Sequence, residues 1–314
     1  MNAERLSASS RAAWGSRWMR AAQALVTILL LSWLAGSIDA GVWQALSGIK
    51  ALTLLACFLV FASAQLIGGF RLWLLTPGAT LRGAQAATWV GYFWGNFLPS
   101  SVGGDIIRLM RLRGEGIPGA TAAGALVLDR IANLLPILAV VAFAALTSSL
   151  SLAVNIDPVW GFAFALMGLA GAVALWLVRR RLAGPIRRVL QPARQLVRRP
   201  GLILGVALLS AANIGVSILA QLWLARALGI VIDIVELAQI IAVLTLVVML
   251  PVSLNGLGVQ EAGYVVALTT AGAPLDAAIA FSLLARLLIL ATSLLVGLFV
   301  LAEKLRPRQA SGAG

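Results

Sequence analysis

The sequence predicts an all-α polytopic membrane protein, and three observations support that prediction. Of the 314 residues, 61% are apolar and 11% are charged, whereas a soluble domain is about 45–50% apolar and about 25% charged. The mean hydropathy is +0.98. Apolar stretches recur along the chain at the length of about 20 residues that a spanning helix needs. A water-soluble enzyme and a disordered chain are both excluded.

The residue inventory excludes further classes of site. The sequence has no histidine, so neither a His-ligated metal nor an imidazole general base is expected. Its one cysteine, Cys57, excludes a disulfide scaffold. We expect no cofactor, no metal and no catalytic residue set. The net charge of +13 comes from basic residues that lie between the apolar spans. This pattern indicates cytoplasmic loops and not a nucleic-acid partner.

Six apolar stretches are predicted to be full spans, and two more are broken. The predicted spans are 21–38, 51–73, 119–146, 159–178, 201–225 and 277–301. The broken stretches, 84–98 and 237–250, are followed by segments rich in Pro, Ser and Gly, 99–104 and 251–258. We predict that each broken stretch forms a re-entrant hairpin, which enters and leaves on one side of the membrane. The alternative is eight full spans, with short tilted helices at the breaks.

Loop charges predict the orientation, because cytoplasmic loops are enriched in Lys and Arg. The tail 1–20 is basic, and the segment 179–199 contains eight arginines. The segments around Asp157 and Asp276 lack basic residues and are predicted to lie outside. We therefore expect one transmembrane domain, 21–302, in a bacterial-type inner membrane. The tails 1–20 and 303–314 would both be cytoplasmic.

The two broken segments match each other in sequence. The matched positions are Pro99 with Pro251, Ser101 with Ser253, and Gly104 with Gly256. Pro99 and Pro251 are separated by 152 residues, close to half the chain. The loop charges give the halves, about 21–147 and 159–302, opposite orientations. Inverted halves with matching helix breaks are typical of secondary transporters. Chance recurrence in a Leu-rich chain is the alternative explanation.

The helix breaks are the first candidate site. A broken helix in lipid leaves backbone N–H and C=O groups unpaired, which is tolerated only where protein or a wet cavity satisfies them. Asp105 is predicted to cap a helix over 106–112, whose positive end suits a phosphate or carboxylate. The alternative is that these residues only shape a turn. The candidate binding residues at the breaks are Asn96, Ser101, Gly103, Gly104, Asp105, Ser253, Asn255, Gly256 and Gly258.

Ionisable residues at membrane depth are the second candidate site. They are Asp105, Arg108, Asp129, Arg130, Glu261 and Arg286. Such charges are expensive in lipid, so we expect them to face a cavity or each other. Arginine binds phosphate bidentately, which suggests that Arg130 and Arg286 bind an anionic headgroup, one from each half. The alternatives are salt bridges that only orient the spans, or acids that take up protons and couple transport to a gradient.

The order of these motifs is familiar. The residues run Asn96-x-Leu98-Pro99, then Gly103-Gly104-Asp105-x2-Arg108, Asp129-Arg130, Gly256-x-Gly258-x2-Glu261 and Arg286. Over nearly its whole length, the chain resembles the flippase-like family related to the transmembrane region of lysylphosphatidylglycerol synthase. The resemblance implies movement of phospholipids or polyprenyl-linked lipids between leaflets. Some members carry a C-terminal aminoacyl-transfer domain. This chain extends thirteen residues past its last predicted span, so we expect the stand-alone form.

The expected function is therefore a lipid flippase or transporter for an anionic phospholipid or polyprenyl-linked lipid. The alternatives are an integral-membrane enzyme acting on lipid headgroups, a transporter of a small soluble anion, and a structural partner of a lipid-synthesis complex. The enzyme alternative would need Asp105, Asp129 and Glu261 to converge on Mg²⁺. Membrane lipids are the expected partners, with lipid-synthesis enzymes as further candidates. The sequence names neither the lipid nor the oligomeric state.

Overall fold

The computed structural model describes residues 23–97, 103–146, 199–249 and 256–305. Within these ranges the chain forms ten helices and no strand, which confirms the predicted all-α class. The predicted span 159–178 lies outside the described residues. So do the residues Pro99, Ser101, Pro251, Ser253 and Asn255.

The helices are numbered here in chain order. The first five are α1 (Gln23–Gly36), α2 (Ala40–Ser47), α3 (Ala51–Leu75), α4 (Leu81–Phe97) and α5 (Gly103–Gly114). The other five are α6 (Gly119–Leu146), α7 (Pro200–Ala227), α8 (Ile234–Met249), α9 (Val259–Thr270) and α10 (Leu275–Leu305).

Four of these helices, α3, α6, α7 and α10, are long and apolar enough to cross a membrane. They coincide with four of the predicted spans. The helices α1 and α2 meet at 82° and together make a fifth candidate, either as a broken span or as a re-entrant loop. The helix α8 is apolar but shorter, at 16 residues. The full number of spans stays a prediction.

Local sequence fixes where the helices adjoining the bends begin. The side chain of Asp39 accepts a hydrogen bond from the backbone N–H of Val42 at 3.1 Å, which caps α2 in the usual way. Before α9, Gly256 and Gly258 have φ values of 73° and 80°, which an L side chain rarely adopts. Oε2 of Glu261 accepts the N–H of Gly258 at 2.7 Å and so satisfies a helix-start donor.

The centre of the molecule is an antiparallel pair formed by α3 and α7. Nδ2 of Asn213 donates to the carbonyl of Ala64 at 2.6 Å, and Arg71, further along α3, reaches Ser210, further back along α7. One apolar cluster joins the end of α3 to α4, α5 and α6. A second joins the end of α7 to α8, α9 and α10. Val206 of α7 also belongs to the first cluster and Cys57 of α3 to the second, so the two halves share their apolar cores.

Helices α4 and α5 form a tight antiparallel hairpin. A Cβ on Gly104 would lie 2.5 Å from the carbonyl oxygen of Gly91 and 3.1 Å from Cα of Gly95. Only glycine allows backbones to approach this closely. At the other end of the pair, Gly83 faces Glu115. Residue numbers therefore rise along α4 as they fall along α5, which makes the two helices antiparallel. The chain direction therefore reverses at the first predicted break.

The chain also reverses direction between helices α8 and α9. Gly256 contacts Val248, and Gly263 contacts Leu244, which is again an antiparallel arrangement. Both broken stretches are therefore flanked by paired helices that return on one another. Their depth in the bilayer, and hence their re-entrant character, remains a prediction.

Candidate functional site

A polar cavity of about 380 Å³ lies between α3, α4, α5, α6 and α7, with Val248 and Met249 of α8 on its rim. Side chains that can hydrogen-bond line it from all five of these helices, and they include Gln65, Asn96 and Asn213. The close contact between Gly91 and Gly104 brings the start of α5 to its wall. We call this space the charged cavity, because four ionised side chains also line it.

The carboxylate of Asp129 lies at the centre of the charged cavity. Its Oδ1 accepts from Nε of Arg71 at 2.7 Å, and its Oδ2 accepts from Nη2 of Arg108 at 2.8 Å. Arg71 also donates from Nη1 to Oδ1 of Asn133 at 3.2 Å and to Oγ of Ser210 at 3.4 Å. Asp129 is only 4% exposed. One buried carboxylate is therefore shared by two arginines from different helices.

Asp105 extends the network toward α6. The helix α5 begins at Gly103 and Asp105 is its third residue, so the prediction that Asp105 caps a helix over 106–112 was wrong. A negative charge in this first turn is favoured by the helix dipole. Asp105 accepts from Nη1 of Arg108 at 3.4 Å and from Nε of Arg130. The sequence predicted that these charges face a cavity or each other, and in the structure they do both: Asp105, Arg108 and Asp129 line the cavity and are also paired.

Two polar atoms of the charged cavity keep unused hydrogen-bonding capacity. Among the described residues, Oγ1 of Thr88 and Nε of Arg108 are buried and have no hydrogen-bond partner. Thr88 is only 6% exposed. A buried polar group left in this condition costs roughly 1–3 kcal/mol. A ligand in the charged cavity that bonded to both atoms would recover that cost.

The second helix break has an ion pair of its own. Nε of Arg286 donates to Oε1 of Glu261, and its Nη2 donates to the carbonyl of Gly256 at 3.3 Å. Glu261 is 2% exposed. Arg286 thereby ties α10 to the start of α9. Among the described lining residues of the charged cavity, neither Arg286 nor Arg130 is present.

The two arginine–acid pairs repeat with one spacing. Arg130 bonds an acid 25 residues earlier, and Arg286 bonds an acid 25 residues earlier. Each acid is the third residue of the helix after a break. The second pair follows the first by 156 residues, since 261 − 105 and 286 − 130 both equal 156.

The remaining predicted binding residues are distributed as follows. Asn96 lines the charged cavity and donates from Nδ2 to Oγ of Ser293 at 2.8 Å, which joins α4 to α10. Gly104 lines the cavity, and Gly103 is buried beside it at the first position of α5. Gly256 and Gly258 lie at the other break and allow its backbone to turn. Ser101, Ser253 and Asn255 are outside the described residues.

Several polar residues of the charged cavity were not singled out as binding residues from the sequence, among them Gln65, Arg71, Thr88 and Asn133. Arg71, Gln65 and Asn133 carried a usable signal, since each is polar within an otherwise apolar helix. Thr88 carried none, because threonine is common in membrane helices. The three acids proposed for Mg²⁺ do not converge: within the described ranges no group of three metal-ligating side chains occurs.

The long apolar helices, with a buried ionic network between them, define the class of the protein as an integral membrane protein. The family model of the lysylphosphatidylglycerol synthase TM region matches residues 20–297, and the chain belongs to that family. The resemblance seen in the sequence is thus confirmed, and a membrane lipid-related function follows. No curated protein matches the chain. No solved structure matches it either.

Proposed function

We propose that the protein is a flippase that moves an anionic phospholipid or polyprenyl-linked lipid across a bacterial-type inner membrane, with both termini in the cytoplasm. The observation that carries the proposal is the charged cavity, where the buried Thr88 Oγ1 and Arg108 Nε have no hydrogen-bond partner among the described residues. Both atoms can donate a hydrogen bond, and a phosphate oxygen accepts such bonds. Membership of a lipid-related family supports the same proposal.

The start of α5 adds to the anion-binding character of the cavity. Gly104 lines the cavity in the first turn of α5. The N–H groups of a first turn have no partner within their helix and carry a partial positive charge. A phosphate placed between this turn, Arg108 and Thr88 would meet donors from α4 and α5. Asp105 and Asp129 already form ion pairs with arginines, which reduces the repulsion between these carboxylates and a bound phosphate.

We further propose that the two halves are inverted repeats that rock against each other. Two observations support this: the 25-residue spacing of both arginine–acid pairs, and the antiparallel arrangement of α3 and α7. In transporters with this organisation, alternating access comes from movement of one repeat against the other around a fixed site. Arg130 and Arg286 would then hold each half together, while Arg108 contacts the headgroup.

The test is a translocation assay with the full chain in liposomes. Phosphatidylglycerol labelled on an acyl chain is compared with equally labelled phosphatidylcholine, and dithionite reports the label in the outer leaflet. We expect faster exposure of phosphatidylglycerol with protein than without, and little effect on phosphatidylcholine. Arg108→Gln should abolish the effect. Arg113→Gln, at an exposed position of the same helix, is the matched control.

Three outcomes would contradict the proposal. Equal rates in protein-containing and empty liposomes would exclude translocation of this lipid. A chemical change of the lipid on incubation would indicate an enzyme. Uptake of inorganic phosphate without lipid movement would indicate a transporter of a soluble anion.

A further inference from the structure

A second, smaller cavity of about 160 Å³ lies between α6, α7 and α8. It adjoins the charged cavity, because Asn133 and Asn213 line both. We call it the three-helix cavity. Among its described lining residues none is charged.

The three-helix cavity extends the charged cavity in one direction along the bundle. On α6 the lining residues run from Asp129, at the charged cavity, to Val140, at the three-helix cavity. On α8 the lining residues run from Val248, at the charged cavity, to Ala238, at the three-helix cavity. At 1.5 Å per residue, these displacements are about 15 Å, or about half of a 30 Å hydrocarbon core. According to the orientation predicted from loop charges, this direction leads away from the cytoplasm.

The polar groups of the three-helix cavity favour hydrogen-bond donors. Oγ of Ser217 donates to the carbonyl of Asn213 at 2.9 Å, and Oγ1 of Thr245 donates to the carbonyl of Ile241 at 2.7 Å. Their hydroxyl protons are thus used within the helices, and the oxygens remain as acceptors. Asn213 donates one of its two amide hydrogens to the carbonyl of Ala64, and its carbonyl oxygen is a further acceptor. Hydroxyl groups of a ligand would satisfy these acceptors without a buried charge.

A proline marks the junction of the two cavities. Pro136 lies inside α6, between Asn133 and Ile137. Because proline has no N–H, the carbonyl of Ala132 lacks its helical donor, and the helix can bend at this level. The wall shared by the cavities is therefore the part of α6 with the weakest internal hydrogen bonding.

From this geometry we propose that the three-helix cavity is the second binding position on the path of the headgroup. It takes the uncharged, hydroxyl-bearing part of a phosphodiester headgroup, such as glycerol or a sugar, while the phosphate stays near Arg108. The inference rests on the proposed flippase function. It adds the route and the headgroup class to that function.

The first experiment fills the three-helix cavity. Ser217→Leu and Thr245→Leu are placed in the full chain and compared with Leu219→Phe, which adds bulk at a position of α7 that is 51% exposed. Two quantities are measured: phosphatidylglycerol binding to the detergent-purified protein by native mass spectrometry, and translocation in liposomes. We expect both filled variants to bind the lipid and to translocate it no faster than protein-free liposomes. Translocation at the wild-type rate would overturn the route.

The second experiment remains informative if a filled variant does not fold. In a Cys57→Ala background, which removes the only thiol of the sequence, Ser217→Cys and Leu219→Cys are exposed to a charged methanethiosulfonate reagent. We expect Ser217→Cys to react, because Ser217 lines the three-helix cavity, and to be protected by added phosphatidylglycerol. Leu219→Cys, which faces lipid, should stay unreactive.

An unreactive Ser217→Cys would overturn the route even if the wild type moves lipid. A wild type that binds lipid in the charged cavity without moving it would instead overturn the proposed function. The two failures are therefore distinguishable.

Discussion

Arg71 and Asp129, 58 residues apart in the chain, form a 2.7 Å ion pair with only 6% and 5% of their side chains exposed. The pair joins α3 to α6 at the wall of the charged cavity, and Arg108 occupies the second oxygen of the same carboxylate. The proposed ligand site and the structural support thus share one network. Variants of this network, including those of Arg108, should change stability and transport together, whereas variants of Thr88 should change transport alone.

The first prediction concerns Asp129. Asp129→Asn leaves the buried Arg71 and Arg108 without their shared counter-charge, and removal of one partner from a buried pair costs roughly 3–5 kcal/mol. We expect a clear loss of thermal stability in the purified protein. The double variant Asp129→Asn/Arg71→Gln should lose less than the sum of the single variants, because the pair is coupled. Simple additivity would contradict the pairing.

The second prediction concerns the glycine contact of the first hairpin. In Gly104→Ala the new Cβ would lie 2.5 Å from the carbonyl of Gly91, so α5 must move away from α4. We expect lower stability and loss of translocation. The control is Gly201→Ala, where a Cβ meets nothing within 4 Å. That change should be neutral or should stabilise the helix by about 0.5–1 kcal/mol. Equal behaviour of both variants in thermal unfolding would refute the close contact.

The third prediction separates binding from stability at Thr88. Thr88→Val keeps the shape of the side chain and removes a buried hydroxyl for which the described chain offers no partner. Stability should therefore stay the same or rise. Affinity for phosphatidylglycerol should fall about tenfold, as for the loss of one hydrogen bond to a charged group. Unchanged affinity in the native mass spectra would remove Thr88 from the binding site.

The fourth prediction concerns the ion pair of the second break. Glu261→Gln weakens the bond to Arg286 and the cap on the N–H of Gly258. Hydrogen bonds to charged groups contribute about 1.5–3 kcal/mol each, so we expect a marked fall in stability and in translocation. Thr270→Val, at the exposed end of the same helix, should have little effect. If Arg286→Gln alone retains full activity, the pair is not required for transport.

The long helices could be predicted from the sequence because each is a continuous apolar run. The predicted span 201–225 corresponds to Pro200–Ala227. The helices α2 and α9 were not predicted. Short helices gain most of their stability from tertiary packing, and α2 packs on α10 and α9 on both neighbours. A run of apolar residues, the signal used for the spans, does not report such contacts.

The candidate site could be predicted only as a set of residue types. Charges within a membrane must find partners, and the structure pairs Arg130 with Asp105 and Arg286 with Glu261. Their role in binding stays a prediction. The choice of partner depends on which helix faces are turned toward each other, and this is decided by packing across α3 and α7. The contribution of Arg71 and Thr88 to the cavity therefore appeared only in three dimensions.

The 82° angle between α1 and α2 has a mechanical consequence. A helix at nearly a right angle to a neighbour that spans the membrane would lie along the lipid–water boundary, and the 65% exposed Trp43 of α2 is a residue type that anchors helices there. Since α2 packs on α10, which carries Arg286, we expect bilayer thickness to act on the second ion pair through these two helices. A thinner or thicker bilayer would displace α2 relative to α10, so the acyl-chain length of the lipids should change the rate of lipid movement.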